Sequence, residues 1–79
     1  MIRKLFKIGE VMEHSGLSRQ VIHNYTQLGL IKEAKRTLSR HRLYSEEVFQ
    51  RLEEIKKLQA EGKTLMEIKE MLNGARQYA

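Results

Sequence analysis

Seventy-nine residues, 41% of them apolar, suffice for one small domain with one core, near the lower size at which a chain folds without disulfides or metal. No run of about 18 apolar residues is present to span a bilayer, MIRKLFKIGE lacks the apolar stretch of a secretory signal, and the absence of cysteine excludes disulfides and thiolate metal sites, so a cytoplasmic protein is expected. The net charge is +5 with a pI near 9.8, and its placement favours an anionic partner: residues 1–42 hold nine Lys/Arg against three Glu, residues 43–79 six against seven.

The first predicted helix runs from Ile8 to His14, with Ile8, Val11 and Met12 on its apolar side and Ser15-Gly16 stopping it. Lys7 stands where a capping Ser, Thr or Asp is preferred, so its start is weakly marked. A second helix begins two residues later, with Ser18 as N-cap and Gly29 suited to the left-handed residue that ends it. At 100° per residue, Val21, Tyr25 and Leu28 cluster inward with Ile22 at their margin, whereas Arg19, Gln20, His23, Asn24 and Gln27 face water. No acid interrupts the chain between Glu13 and Glu33. Two short helices joined by a Gly-containing turn form a helix-turn-helix, here about 8–28, although plain bundles use the same connection.

Leu30-Ile31 and Leu43-Tyr44 flank KEAKRTLSRHR, in which Lys32, Lys35, Arg36, Arg40 and Arg42 stand against Glu33 alone, with His41 beside them. This segment, about 32–44, is expected to be a two-stranded hairpin with a basic tip, leaning on the helices because so short a hairpin is unstable alone. Ser45 is expected to cap a third helix, Glu46 to Glu61, with Val48, Leu52, Ile55 and Leu58 at helical spacing and Phe49 widening the stripe. Gly62 ends it, and Thr64 with Glu67 forms a capping box for a fourth helix, Leu65 to Leu72, burying Leu65, Ile68, Met71 and Leu72 before Asn73-Gly74. The tail ARQYA is too short for another packed element, so residues 1–79 read as one domain.

Catalysis finds no support. His14, His23 and His41 are far apart and lack a second ligand at metal spacing, and the serines are explained by turns and caps. No nucleophile elbow or Gly-rich phosphate loop occurs, so no enzyme activity, metal or cofactor is expected. Double-stranded DNA suits the second helix better: Arg19, Gln20, His23 and Asn24 can address base edges. Lys7, Arg36, Arg40, His41, Arg42 and Lys63 can grip phosphates, as can the first turn around Ser18. Tyr25 faces inward, with only its hydroxyl able to reach a phosphate.

FKIGEV, SGLSRQVIHNYTQLGLI, RHRLYSEEVFQRLEEI and EGKTLMEIKEML follow one another in an order and spacing that resembles the N-terminal winged-helix DNA-binding domain of the MerR family of bacterial transcription regulators, from Leu5 to Asn73. The resemblance implies a mainly α winged helix-turn-helix: four helices, a short two-stranded antiparallel wing at Lys32 to Tyr44, and a second wing at the Gly62-Lys63-Thr64 turn. It also implies a recognition helix, Ser18 to Leu28, lying in the major groove, with Arg42 as the wing arginine anchoring phosphate. The Arg-Tyr-Tyr usual on that helix is His23-Asn24-Tyr25 here, which implies a different sequence preference, and the usual wing Gly-Tyr is Arg40-His41. Such regulators usually continue into a dimerising helix and an effector domain, so the chain reads either as an excised domain or as a small stand-alone member. Transcriptional regulation, with RNA polymerase at a promoter as a further partner, is the expected function, in a bacterial cytoplasm at the nucleoid. An excisionase-like, DNA-bending role is the alternative, and a protein-interaction module is a weaker one. The chain is expected to be a monomer in solution that can assemble as a dimer or side by side on DNA.

Overall fold

Local capping chemistry sets the helix ends. The computed structural model describes residues 4–74 and holds strand β1 (Phe6–Lys7), helix α1 (Ile8–Ser15), helix α2 (Arg19–Leu28), strands β2 (Lys35–Arg36) and β3 (Arg42–Tyr44), helix α3 (Glu47–Ala60) and helix α4 (Leu65–Gly74). Lys7 offers no acceptor, and the start of α1 is held instead by Glu10, whose Oε1 accepts from the Lys7 backbone N–H at 2.9 Å. Gly16 ends α1 at φ 75° with its N–H on the Met12 carbonyl. Ser18 caps α2 as expected, its Oγ accepting from the Val21 N–H at 3.2 Å. Gly29 closes α2 at φ 85°, and the next N–H, that of Leu30, reaches back to the Tyr25 carbonyl at 2.9 Å.

That closure turns the chain into the core ahead of the expected hairpin. Leu30 and Ile31, 1% and 3% exposed, form no strand: they follow the cap inward and join the core. The wing pairs Lys35 with Leu43 and Arg36 with Arg42, and its loop is held by the Thr37 N–H on the His41 carbonyl at 2.9 Å, with Arg40 at φ 67°. A third strand was not foreseen. β1 pairs antiparallel with β3, Phe6 opposite Tyr44 and Lys7 opposite Leu43, so β3 is the middle strand of a three-stranded sheet ordered β1-β3-β2.

The core joins Val11, Ile22, Tyr25, Leu30, Ile31, Tyr44, Val48, Leu52, Ile55 and Ile68, contributed by all four helices, β3 and the segment that follows α2. On α2 the inward face is centred on Ile22 and Tyr25, and Leu28, expected inside, is 43% exposed. The cause is that α2 is gripped from the side of Thr26: Thr26 donates to the Ile22 carbonyl (2.8 Å), leaving its Oγ1 to accept from the buried Tyr44 hydroxyl (2.8 Å). Leu28, two residues further on, lies about 200° around the helix from Thr26 and so faces away from that contact.

α3 begins at Glu47, not Glu46, and the bond made at Ser45 runs from the Val48 N–H to its carbonyl at 3.0 Å. Thr64 and Glu67 make the reciprocal capping box, at 2.9 and 3.1 Å. α4 runs to Gly74, past the expected stop at Leu72, and Met71 is 47% exposed instead of buried. Asn73 is kept helical by long-range partners: its Nδ2 donates to the Gly29 carbonyl at 3.0 Å and its Oδ1 accepts from Arg51 Nη2 at 2.6 Å. Arg51 Nε also donates to the Leu30 carbonyl at 3.0 Å, so one guanidinium ties the end of α2 to the end of α4. Phe6 packs edge to face on both His14 and Phe49 where β1, α1 and α3 meet, and the His14 and Phe49 rings are tilted at 60° with centroids 4.9 Å apart. The expectations for ARQYA and for the extreme N-terminus lie outside the described residues.

Candidate nucleic-acid interface

Alternation along β3 decides what the wing presents to the helix. Arg42 and Tyr44 are two apart and share a face, and on α2 their partners His23 and Thr26 are three apart, again on one face. Strand and helix therefore run side by side, clamped at two points. At the buried end Tyr44 meets Thr26. At the outer end an Arg42 Nη1 lies 2.6 Å from His23 Nδ1.

Around this seam lies an open cleft walled by the start of α1, the first turns of α2 and the wing. Lys7, Arg19, His23, Arg36, Arg40, His41 and Arg42 all line it, so residues widely separated in sequence come together there. Gln20 and Asn24 stand on the exposed face of α2 outside that lining, joined by a hydrogen bond from Gln20 Nε2 to Asn24 Oδ1 at 3.1 Å. Lys63 is exposed on the turn between α3 and α4, where Gly62 takes φ 92°. Ser18 is exposed at the N-terminus of α2. Tyr25 is only 7% exposed, so its ring packs inward as expected, and its hydroxyl donates to Gln59 Oε1 at 3.3 Å, joining α2 to α3.

Three acids modify the expected charge. Glu33 grips Arg36 with both oxygens, Nε to Oε2 at 2.8 Å and Nη2 to Oε1 at 3.0 Å, and its Oε2 lies 3.6 Å from Arg42 Nε. The bond from Arg36 first, with the nearby Arg36 and Arg42 charges adding, holds the Glu33 carboxyl below the usual range. Glu10 and Glu13 line the α1 wall of the cleft. Sequence order could not show this, because Glu10 and Glu13 precede the acid-free stretch and reach the cleft only through the fold. His23 is held below the ordinary imidazole pKa, by partial burial first and then by the Arg42 and Arg19 charges.

Among the described residues no group of three or more His, Cys, Asp or Glu is placed to hold a metal ion, and no helix is long and apolar enough to cross a membrane.

A family model described as MerR HTH family regulatory protein matches residues 6–75. The chain is 42% identical over 67 residues to a mercuric resistance operon regulatory protein of Bacillus cereus, covering 85% of this chain and 51% of that protein. It is 38% identical over 72 residues to the HTH-type transcriptional regulator YfmP of Bacillus subtilis, covering 90% and 51% respectively. It thus spans about half the length of these two relatives. The fold is shared with the crystal structure of a MerR-family transcriptional regulator from Bacillus cereus, at a TM-score of 0.78 and 23% identity, over 87% of this chain and 52% of that one.

Proposed function

The chain belongs to the MerR family of helix-turn-helix regulatory proteins, and on that premise we propose that it binds double-stranded DNA with α2 in the major groove and the wing on the adjacent backbone, regulating transcription. The observation that carries this reading is the clamp of β3 on α2, which fixes a basic wing at a set angle beside a helix whose exposed face bears no acid. A ten-residue helix is roughly 15 Å long and the B-DNA major groove is about 12 Å wide, so the face from Arg19 to Asn24 fits within it. Arg19, Gln20, His23 and Asn24 address base edges. Lys7, Arg36, Arg40, His41, Arg42 and Lys63 address phosphates, together with the backbone N–H groups that follow Ser18. The reading extends to RNA polymerase at a promoter, and to two copies meeting on DNA.

Selection of binding sites from random duplexes, followed by footprinting, tests it. A defined site is expected, with affinity falling about 10³–10⁵-fold between roughly 50 and 200 mM salt if six to ten phosphates are contacted. Absence of a footprint, or affinity indifferent to salt, would refute it.

A further inference from the structure

Arginine has five N–H donors and no acceptor, so the 2.6 Å contact between Arg42 Nη1 and His23 Nδ1 has one chemical meaning. Nδ1 accepts. It carries no proton, and the proton of the neutral ring sits on Nε2. Among the described residues Nε2 has no hydrogen-bond partner, and it is not one of the molecule's buried polar atoms, so it is open to a ligand. Arg42 is itself fixed from behind by Glu33, with 18% of its side chain exposed. The ring orientation, tautomer and charge of His23 are therefore set by the wing before any ligand arrives.

We propose that Arg42 is a positioning residue for base readout: it holds His23 as a neutral ring with Nε2–H outward, so that the pair selects a base edge offering an acceptor. This rests on the DNA-binding reading above. In the major groove guanine offers two acceptors, N7 and O6, adenine one beside an amine, thymine one, and cytosine only its amine donor. A ring that can only donate favours guanine and disfavours cytosine at its position. The neutral state agrees with the partial burial of His23 and the Arg42 and Arg19 charges near it, both of which oppose a proton on Nδ1. A doubly protonated His23 gripping a phosphate would require Arg42 to leave.

Long-range ¹H–¹⁵N spectra of the 79-residue chain, with site selection on random duplexes, test the proposal. The wild-type ring should show a protonated Nε2 and a bare Nδ1, with roughly tenfold preference for guanine over cytosine at one base pair. Arg42→Met should mix the tautomers and flatten preference at that pair alone, while Arg42→Lys, which keeps both charge and a donor, should restore much of it. His23→Gln, whose amide donates and accepts, should admit cytosine. A proton on Nδ1 in the free protein, or Arg42→Met weakening all sequences equally with the preference intact, would overturn the inference and leave DNA binding standing. Failure of the wild-type chain to bind any duplex at low salt would remove both.

Discussion

Arg51→Met tests whether the far side of the molecule holds the recognition helix in place. The substitution keeps an unbranched apolar stem on α3 and removes two bonds from a charged donor, Nε to the Leu30 carbonyl at 3.0 Å and Nη2 to Asn73 Oδ1 at 2.6 Å. Hydrogen bonds to charged groups contribute about 1.5–3 kcal/mol each, and both sites are partly buried, so water replaces part of the loss. A destabilisation of about 2–3 kcal/mol is expected. For a domain of this size each kcal/mol shifts Tm by about 4–8 °C, giving a fall of roughly 10–20 °C. Urea unfolding followed by circular dichroism measures it, and the slope with denaturant should not change. Asn73→Ala shares one bond with Arg51→Met, so the double variant should lose less than the sum of the two. Arg51 does not line the cleft, so DNA affinity of the folded variant should stay within a few fold at low temperature. A stability change below about 0.5 kcal/mol would show that the guanidinium bridge carries little energy and would refute the reasoning.

Other expectations follow from single contacts. Tyr44→Phe removes the hydroxyl that donates to Thr26, a net loss of about 0.5–1.5 kcal/mol, and calorimetry should find it with the fold intact. Ser18→Ala should cost about 0.5–2 kcal/mol in denaturant titration, because the Val21 N–H loses its acceptor. Lower pH should weaken the fold in two stages. His23 has a depressed pKa, so the unfolded chain takes its proton first and stability starts to fall below pH 6.5. Glu10, Glu33 and Glu67 are likewise held below 4.5, by bonds from the Lys7 backbone, Arg36 and the Thr64 backbone respectively, so their contribution is present above pH 4.5 and is lost as pH falls through the folded values. Thermal melts across that range, with side-chain titration by NMR, check both stages. A Tm constant from pH 7 to 5 would contradict the first.

What could be read from the sequence was whatever local chemistry decides. Ser18, Gly16, Gly29 and the Thr64–Glu67 box act within a few residues of themselves, and each does what its residue type implies. The helices of the core were legible for the same reason, as apolar periodicity is a short-range pattern. Three features were not. β1 is two residues long and is a strand only because Leu43 and Tyr44 come to lie beside it. Leu30-Ile31 was placed only as a flank of the hairpin, and its burial follows from the cap at Gly29, which turns both residues into the core. On the helical wheel Ile22 fell at a margin and Leu28 inside, since a wheel ignores where the neighbouring strand sits. For the candidate site, charge and kinship pointed to Lys7 and the wing cations for phosphates and to Arg19 and His23 for bases, and the fold places these residues around one cleft. Arg42 was assigned to the backbone and His23 to bases as separate devices. The structure joins them, and that contact spans 19 positions no local rule connects.

The central position of β3 also bears on how the molecule assembles and opens. α1, its turn and α2 meet through neighbours in sequence, whereas Phe6 finds Tyr44 across 38 positions. Closing so long a loop is entropically slow, so the helical hairpin should form early and the sheet late. The same ordering governs excursions from the native state: the least protected unit should be the sheet, and its opening would unhitch the wing while the helices persist. DNA held by both α2 and the wing would oppose that opening, and slowed amide exchange at Leu43 and Tyr44, far more than within α3, would be its signature.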